Sequence, residues 1–142
     1  MATYTKFHDF VRALCEGEHN LATAGGHTLK VYLSNTAPTV ATDAIKAHLA
    51  EISTGFGYVG GGEDTTNTGS GSGGVYTVAM TDVVWTATGG SIGPFQYVVL
   101  YNDTPTNPAD PLICYWDYAS GVTLTTGETF TVDFGANTFT VS

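Results

Sequence analysis

Apolar and polar residues alternate along most of this chain, and this alternation predicts β-strands. Residues 27–34 place leucines and a valine on one side of a half-buried strand, with polar residues and a tyrosine on the other. The same period recurs at 75–80, 83–87, 95–101, 112–118, 129–134 and 138–141. Turn residues separate these segments at intervals of about eight to twelve residues. The pattern therefore predicts a mainly β fold, an antiparallel β-sandwich or barrel.

Two of these segments are apolar on both faces, which predicts strands that are covered by protein on both sides. In residues 95–101, one face carries every second residue from Phe95 to Tyr101, and the other carries valine and leucine. Residues 112–118 alternate in the same way. Between the last two predicted strands, the tripeptide at 135–137 predicts a short hairpin connection.

Two other segments follow a helical period. Residues 4–16 carry one apolar stripe, formed by Phe7, Phe10, Val11 and Leu14. This stripe predicts an amphipathic helix within an N-terminal helix arm over residues 1–20. Residues 42–52 predict one further short helix with Thr42 as its N-cap.

The glycine-rich stretch at residues 60–74 has the low complexity of a flexible loop. It could separate two domains, but the pieces on either side are small for that. We therefore expect a single β-rich domain over residues 1–142, with this stretch as a long loop between strands.

Charge is distributed unevenly along the chain. All four basic residues lie in its first third: Lys6, Arg12, Lys30 and Lys46. The rest carries nine acidic residues and accounts for the whole net charge of −9. Because phosphate and nucleic-acid recognition depends on Lys and Arg, this composition argues against nucleic acids and anionic membranes as partners. We expect contacts that need a cation to come from these four residues, and the acidic remainder to face solvent.

Targeting and redox signals are few. Charged residues interrupt the first 17 positions, so we expect no secretory signal, and no apolar run reaches membrane-spanning length. We expect the two cysteines, Cys15 and Cys114, to be free, buried thiols.

Two glycine motifs match functional signatures, but the residues around them do not suit those functions. Residues 55–60 match the dinucleotide pattern G-x-G-x-x-G, but Glu63 and Asp64 follow where a phosphate would be repelled. Residues 89–93 match the nucleophile elbow G-x-S-x-G, but Pro94 and a strand follow, and no histidine comes later in the chain. Both motifs are therefore interpreted as turns.

Metal and acid–base chemistry receive little support. The spacing of His19 and His27 matches no common zinc pattern, and the oxygen-rich loop at 102–110 lacks the spacing of a calcium loop. We therefore predict no metal and no cofactor. Two carboxylates that meet in a groove, as in a glycosidase, remain an alternative.

Aromatic residues in the strands favour a protein interface, although a sugar-binding platform would use the same residue types. Apolar residues of the N-terminal stripe and two of the cations complete the predicted interface. It consists of Phe7, Phe10, Arg12, Lys30, Tyr97, Tyr101, Tyr115, Trp116 and Tyr118.

Several segments resemble small virion proteins of tailed bacteriophages. They are Phe7-His8-Asp9-Phe10-Val11 and the stretches at 27–39, 51–52, 55–58, 84–92, 95–103 and 111–118. The resemblance is one of style and order, and it covers most of the chain outside residues 60–74. It implies a non-enzymatic protein without catalytic residues, made in the host cytoplasm and assembled on the virion.

Within that class the chain most resembles a capsid decoration, or cement, protein. Such proteins are commonly trimers over three-fold positions of the shell, so the resemblance implies a homotrimer that binds the major capsid protein. One alternative is a tail, collar or baseplate component. Another is a virion-exposed module that binds glycans through Trp116 and Tyr118.

Overall fold

Antiparallel strands and one α-helix build the computed structural model, which describes residues 4–142. The strands are β1 (Tyr4–Lys6), β2 (Leu29–Ser34), β3 (Glu63–Thr65), β4 (Asn67–Ser72), β5 (Val75–Met80), β6 (Val83–Thr86), β7 (Ile92–Asn102), β8 (Leu112–Leu124), β9 (Thr129–Val132) and β10 (Phe139–Val141). The helix is α1 (His8–Cys15). A five-stranded sheet has the order β1-β8-β7-β2-β3, a three-stranded sheet the order β10-β5-β4, and β6 pairs with β9. This arrangement confirms the prediction of a mainly β, antiparallel fold and fits a β-sandwich.

Two apolar clusters lie on opposite faces of the five-stranded sheet. The larger cluster joins this sheet to the two smaller ones and includes Val31, Trp85 and Leu100. The smaller cluster covers the outer face and includes Tyr32 and Tyr101. The predicted two-sided burial of β7 and β8 is therefore confirmed. The half-buried assignment of residues 27–34 is wrong, because β2 lies between β7 and β3 and is covered on both faces.

An irregular register changes which residues share a face of β7. Phe95 packs in the larger cluster with Val98 and Leu100, whereas Tyr97 and Tyr101 belong to the outer cluster. The pairing of β7 with β8 shifts between Phe95 and Tyr97. A bulge of this kind breaks the period of two, so the predicted common face for Phe95 and Tyr101 is wrong.

The N-terminal helix is shorter than predicted. Tyr4–Lys6 forms β1, which pairs with β8, and Phe7 has an extended backbone with φ −70° and ψ 144°. Phe7 therefore points into the outer cluster, whereas Phe10 points into the larger one. Of the predicted helix arm, residues 1–3 lie outside the described residues, and α1 packs on the sandwich. Residues 16–28, here named the connecting segment, lead from α1 to β2 without helix or strand.

The second predicted helix, residues 42–52, is wrong. Only a 3₁₀ turn forms there, at Lys46–His48. The preceding backbone pairs with the start of β8 instead: Leu112 N–H donates to the carbonyl of Ala44 at 2.9 Å, and Lys46 N–H donates to the carbonyl of Asp110 at 2.9 Å. These long-range bonds use backbone groups that an α-helix would need.

A partly buried carboxylate, that of Glu51, anchors the segment that connects β2 and β3 to the large sheet. Glu51 accepts hydrogen bonds from Lys46 Nζ (2.6 Å), the Tyr58 hydroxyl (2.6 Å) and Gly61 N–H (2.7 Å). The Lys46 ammonium also lies 4.9 Å from the centre of the Tyr32 ring. Burial, followed by the hydrogen bond to Glu51, raises the pKa of Tyr58 above its ordinary value.

The stretch at residues 60–74, predicted as a loop, contains β3 and β4. β4 pairs with β5 along its whole length, from Asn67 opposite Met80 to Ser72 opposite Val75. The two glycines between these strands, Gly73 and Gly74, have positive φ angles of 59° and 80°. Such angles close a tight hairpin, so here the glycines mark a turn between strands.

The predicted hairpin at 135–137 is also wrong, because β9 and β10 belong to different sheets. The Asp82 carboxylate accepts a hydrogen bond from Phe134 N–H at 2.9 Å. The Thr138 hydroxyl accepts one from Met80 N–H at 3.0 Å. Both contacts lie where the chain passes from one sheet to another. They give hydrogen-bond partners to backbone N–H groups near the ends of the strands.

Candidate docking surface

A groove lies between α1 and the edge strands of two different sheets, and we name it the edge groove. It has a volume of about 410 Å³. Its lining consists of Tyr4, Lys6, Phe10, Val11, Leu14, Cys15, Thr140, Val141 and Ser142. β1 is the last strand of the five-stranded sheet, and β10 is the last strand of the three-stranded sheet. Within residues 4–142, no strand pairs with the outer edge of either.

Aromatic rings join the two sheets beneath the edge groove. The Phe139 ring lies 6.1 Å from the Phe10 ring, in an edge-to-face arrangement, and 6.3 Å from the Tyr4 ring. Val11, on the outer side of α1, keeps 47% of its surface exposed. The groove thus combines an apolar floor, an exposed apolar side chain and strand edges that are unpaired within the described residues. Such edges can accept backbone hydrogen bonds from an added strand.

Lys6 gives the edge groove a cation that no carboxylate neutralises within the described part of the chain. The other three cations are paired: Arg12 with Asp9, Glu16 and Glu18, Lys30 with Asp64 and Asp103, and Lys46 with Glu51. The hydrogen bond from Arg12 lowers the pKa of Asp9. Of the four cations expected to serve a partner, Lys6 is therefore the one without an ion pair among residues 4–142.

A second hollow, of about 320 Å³, adjoins the edge groove. It shares Leu14 and Val141 with the groove and extends to Tyr76 under the connecting segment. The two hollows therefore form one depression around the end of β10. Cys15, at the rim of the edge groove, is exposed, which corrects its predicted burial. Cys114 is buried as predicted, and burial raises the pKa of its thiol.

Four residues of the predicted interface are buried inside the chain. Phe10 and Trp116 belong to the larger cluster, and Phe7 and Tyr101 to the outer one. Each is at most 3% exposed, so in this conformation its side chain offers almost no surface to a partner. A glycan platform that uses Trp116 meets the same obstacle, because its ring packs 5.3 Å from that of Phe134.

The half-buried tyrosines of the predicted interface lie on opposite faces of the large sheet. Tyr97 and Tyr115 pack edge to face at 6.0 Å on the outer face, and Phe7 lies against Tyr115. Tyr118 contacts Phe130 on the inner side, with ring centres 5.1 Å apart. The structure therefore divides the predicted interface among the core, both faces of the large sheet and the two ion-paired cations, Arg12 and Lys30.

Sequence reasoning did not single out several residues of the edge groove. The predicted apolar stripe included Val11 without indicating that it stays exposed, and only Phe10 and Ala13 of α1 are buried. Thr140 and Val141 read as part of an ordinary final strand. The available signal was the shortness of the predicted last strand, at 138–141, since short strands are typical of sheet edges; β1 gave no such signal, because residues 4–16 follow a helical period.

The remaining motifs have the structures of turns. Gly55 and Tyr58 pair as a bridge that closes a tight turn, and Phe56 within it has a φ of 57°. Residues 89–91 lead directly into β7, so no helix follows the G-x-S-x-G motif. Across residues 4–142, no three His, Cys, Asp or Glu side chains lie close enough to hold a metal ion. No helix in this range has the length and apolarity needed to cross a membrane.

Comparison with known proteins gives no significant match. No family model, curated protein or solved structure is similar enough to this chain to suggest its family.

Proposed function

We propose that this chain is a non-enzymatic virion structural protein, a decoration protein that binds the outside of a phage capsid. The observation that carries the proposal is the edge groove, in which two strand edges that no described residue pairs flank an apolar floor. A protein that reinforces a capsid needs a surface of this kind, on which the capsid protein can dock. It does not need a reaction centre.

The proposed occupant of the edge groove is an extended segment of the major capsid protein. Such a segment would add a strand along β1 or β10, and its backbone would pair with the free edge. Alternate side chains would pack against Val11 and Leu14. An acidic side chain opposite Lys6 would form the ion pair that this lysine lacks within residues 4–142.

The acidic surface supports the same orientation. The chain carries a net charge of −9, and Lys6 lies on the groove side. A surface of this sign repels the phosphate backbone of packaged DNA, so the body is expected outside the shell. The groove would then face the capsomers.

Two matched valine variants test the proposal on undecorated heads of the virus that encodes this chain. Val11→Asp places a charge in the edge groove, whereas Val84→Asp places the same charge on β6, outside the groove. The two valines are 47% and 54% exposed, so neither change disturbs the core. We expect Val11→Asp to weaken head binding at least about tenfold, since binding would bury a charge against apolar surface, and Val84→Asp to bind like the native chain.

Head binding by the native chain, with a rise in the temperature at which the heads rupture, is the expected primary result. No binding to heads would refute the decoration role. Equal binding by the two variants would refute the edge groove as its site. Cryo-electron microscopy of virions distinguishes the capsid from the tail, collar or baseplate.

The trimeric state is a separate part of the proposal. Light scattering of the purified protein measures it directly, because a trimer has three times the chain mass of 14.9 kDa. A monomer at all concentrations would refute the trimer in solution.

A further inference from the structure

The connecting segment bridges the two layers of the sandwich. On the side of the three-stranded sheet, the carbonyl of Leu21 accepts hydrogen bonds from Asn67 Nδ2 (3.0 Å) and the Tyr76 hydroxyl (3.2 Å). The Thr23 hydroxyl accepts another from Gly69 N–H at 2.8 Å. The donors in these contacts are a side-chain amide, a hydroxyl and a backbone N–H.

On the side of the five-stranded sheet, two histidines hold the same segment through one amide. Asn102 Nδ2, at the end of β7, lies 3.1 Å from His19 Nδ1 and 2.9 Å from His27 Nδ1. The backbone N–H of Thr104 donates to Asn102 Oδ1 at 3.2 Å. Because a backbone N–H can only donate, this bond identifies Oδ1 as the acceptor and Nδ2 as the donor. Both Nδ1 atoms therefore accept, and in each ring the proton is on Nε2.

His19 is enclosed in this position. It is 6% exposed and packs 5.1 Å from the Phe10 ring, and its Nε2 has no hydrogen-bond partner within the described residues. Burial lowers its pKa to about 4. Glu18 and Asp9 oppose this shift, whereas His27 and Arg12 add to it.

Other charges near the two histidines are already engaged. Arg12 is bound by the acids of α1 and of the connecting segment. Asp64, which lines the same shallow hollow as His27, pairs with Lys30. Asp103, next to Asn102, pairs with Lys30 as well.

We infer that His19, His27 and Asn102 form an acid-released clasp, which frees the connecting segment from β7 and opens the hollow beneath it. Protonation of the His19 ring turns its Nδ1 into a donor that faces the amide donor of Asn102. The amide cannot invert without losing its bond from Thr104. The contacts around Leu21 persist, so the segment stays attached to the three-stranded sheet.

The direction of the pH dependence follows from the pKa of His19. In the closed state it lies at about 4, below the ordinary value of 6.5, so the open state binds the proton more tightly. The clasp is therefore at full strength above pH 6.5 and weakens as the pH falls towards 4. For this residue alone, the opening equilibrium rises by about 60-fold between pH 7 and pH 4.5.

Hydrogen exchange of the whole protein, read by mass spectrometry at pH 7 and pH 4.5, tests the clasp. After correction for intrinsic exchange rates, amides in residues 18–28 should lose protection by tens of fold at pH 4.5, while β5 and β7 keep theirs. Unchanged protection in residues 18–28 would overturn the inference. An equal loss in every strand would also overturn it, because that result indicates global unfolding.

Two substitutions sharpen the test. In Asn102→Asp, the carboxylate accepts from a protonated ring, so protection at pH 4.5 should equal or exceed that at pH 7. Because position 102 is fully buried, His19→Gln, which removes the ring whose protonation drives the opening, serves as a second variant. It retains an acceptor that does not titrate, and its acid-induced loss should be smaller than that of the native chain. A loss in both variants as large as in the native chain would refute the role of these side chains.

Discussion

Removal of the Glu51 carboxylate should destabilise the fold far more than removal of an exposed carboxylate. In Glu51→Ala, the Tyr58 hydroxyl, Gly61 N–H and Lys46 ammonium lose their shared acceptor. The side chains of Glu51 and Lys46 are only 16% and 20% exposed, so water replaces these bonds incompletely. Breaking a fully buried ion pair costs about 3–5 kcal/mol. The remaining exposure places the expected loss near the lower end, at about 3 kcal/mol.

Urea unfolding, followed by the fluorescence of the buried Trp85 and Trp116, measures this loss directly. For a chain of this length it corresponds to a fall in Tm of about 10 °C. Glu16→Ala is the matched control, because the Glu16 side chain is 57% exposed in its ion pair with Arg12. The control should lose no more than about 0.5 kcal/mol. Losses that agree within this margin would refute the reasoning.

A double-mutant cycle locates the energy within the Glu51 network. Lys46→Met removes the ammonium but keeps an apolar stem over the ring of Tyr32. If the ion pair contributes, the loss on Glu51→Ala should be smaller by about 1–2 kcal/mol when Lys46 is already replaced. Additive losses would assign the effect to the Tyr58 and Gly61 hydrogen bonds alone.

Two further predictions concern the backbone and the thiols. In urea unfolding, Gly62→Ala should lower the free energy of unfolding by more than about 2 kcal/mol, because its φ is +76° and a Cβ would overlap the carbonyl oxygen of Val31. Gly127→Ala, at φ +92° with open space around it, should lower it by about 1 kcal/mol, from backbone strain alone. Equal losses would contradict the predicted overlap. In the native protein at pH 8, a thiol reagent should modify Cys15 within minutes and spare the buried Cys114, whereas denaturant should expose both; two rapidly reacting thiols in the native protein would contradict the packing of β8.

The strands were the most predictable part of this protein. Alternation along the chain predicted the bounds of β5 and β10 to within one residue, and the two-faced apolar pattern identified β7 and β8 as covered on both sides. These inferences succeed because a strand exposes successive side chains to opposite faces, whatever its partner. The glycine-rich β4 escaped prediction because its side chains are too small to produce such a pattern, and pairing with β5 stabilises it instead.

Pairing between distant segments decided what the local pattern could not. The apolar stripe at the N-terminus favoured one long helix, but pairing with β8 extends its first residues as β1 and sends Phe7 and Phe10 into opposite clusters. Likewise, a plausible helix near Lys46 gave way to bonds with residues about 65 positions later. Helix propensity is a weak preference, and tertiary hydrogen bonds outweigh it.

The sequence by itself determined the β character of this chain and the confinement of its cations to the first third, because both depend only on which residues occur and in what order. Only the tertiary structure decided which residues are free to act. It buried Tyr101 and Trp116 and paired three of the four cations, and within residues 4–142 it left Lys6 beside two unpaired strand edges. It also brought His19 and His27 to one amide on β7. Those outcomes depend on the pairing and packing of residues far apart in sequence, which no local pattern encodes.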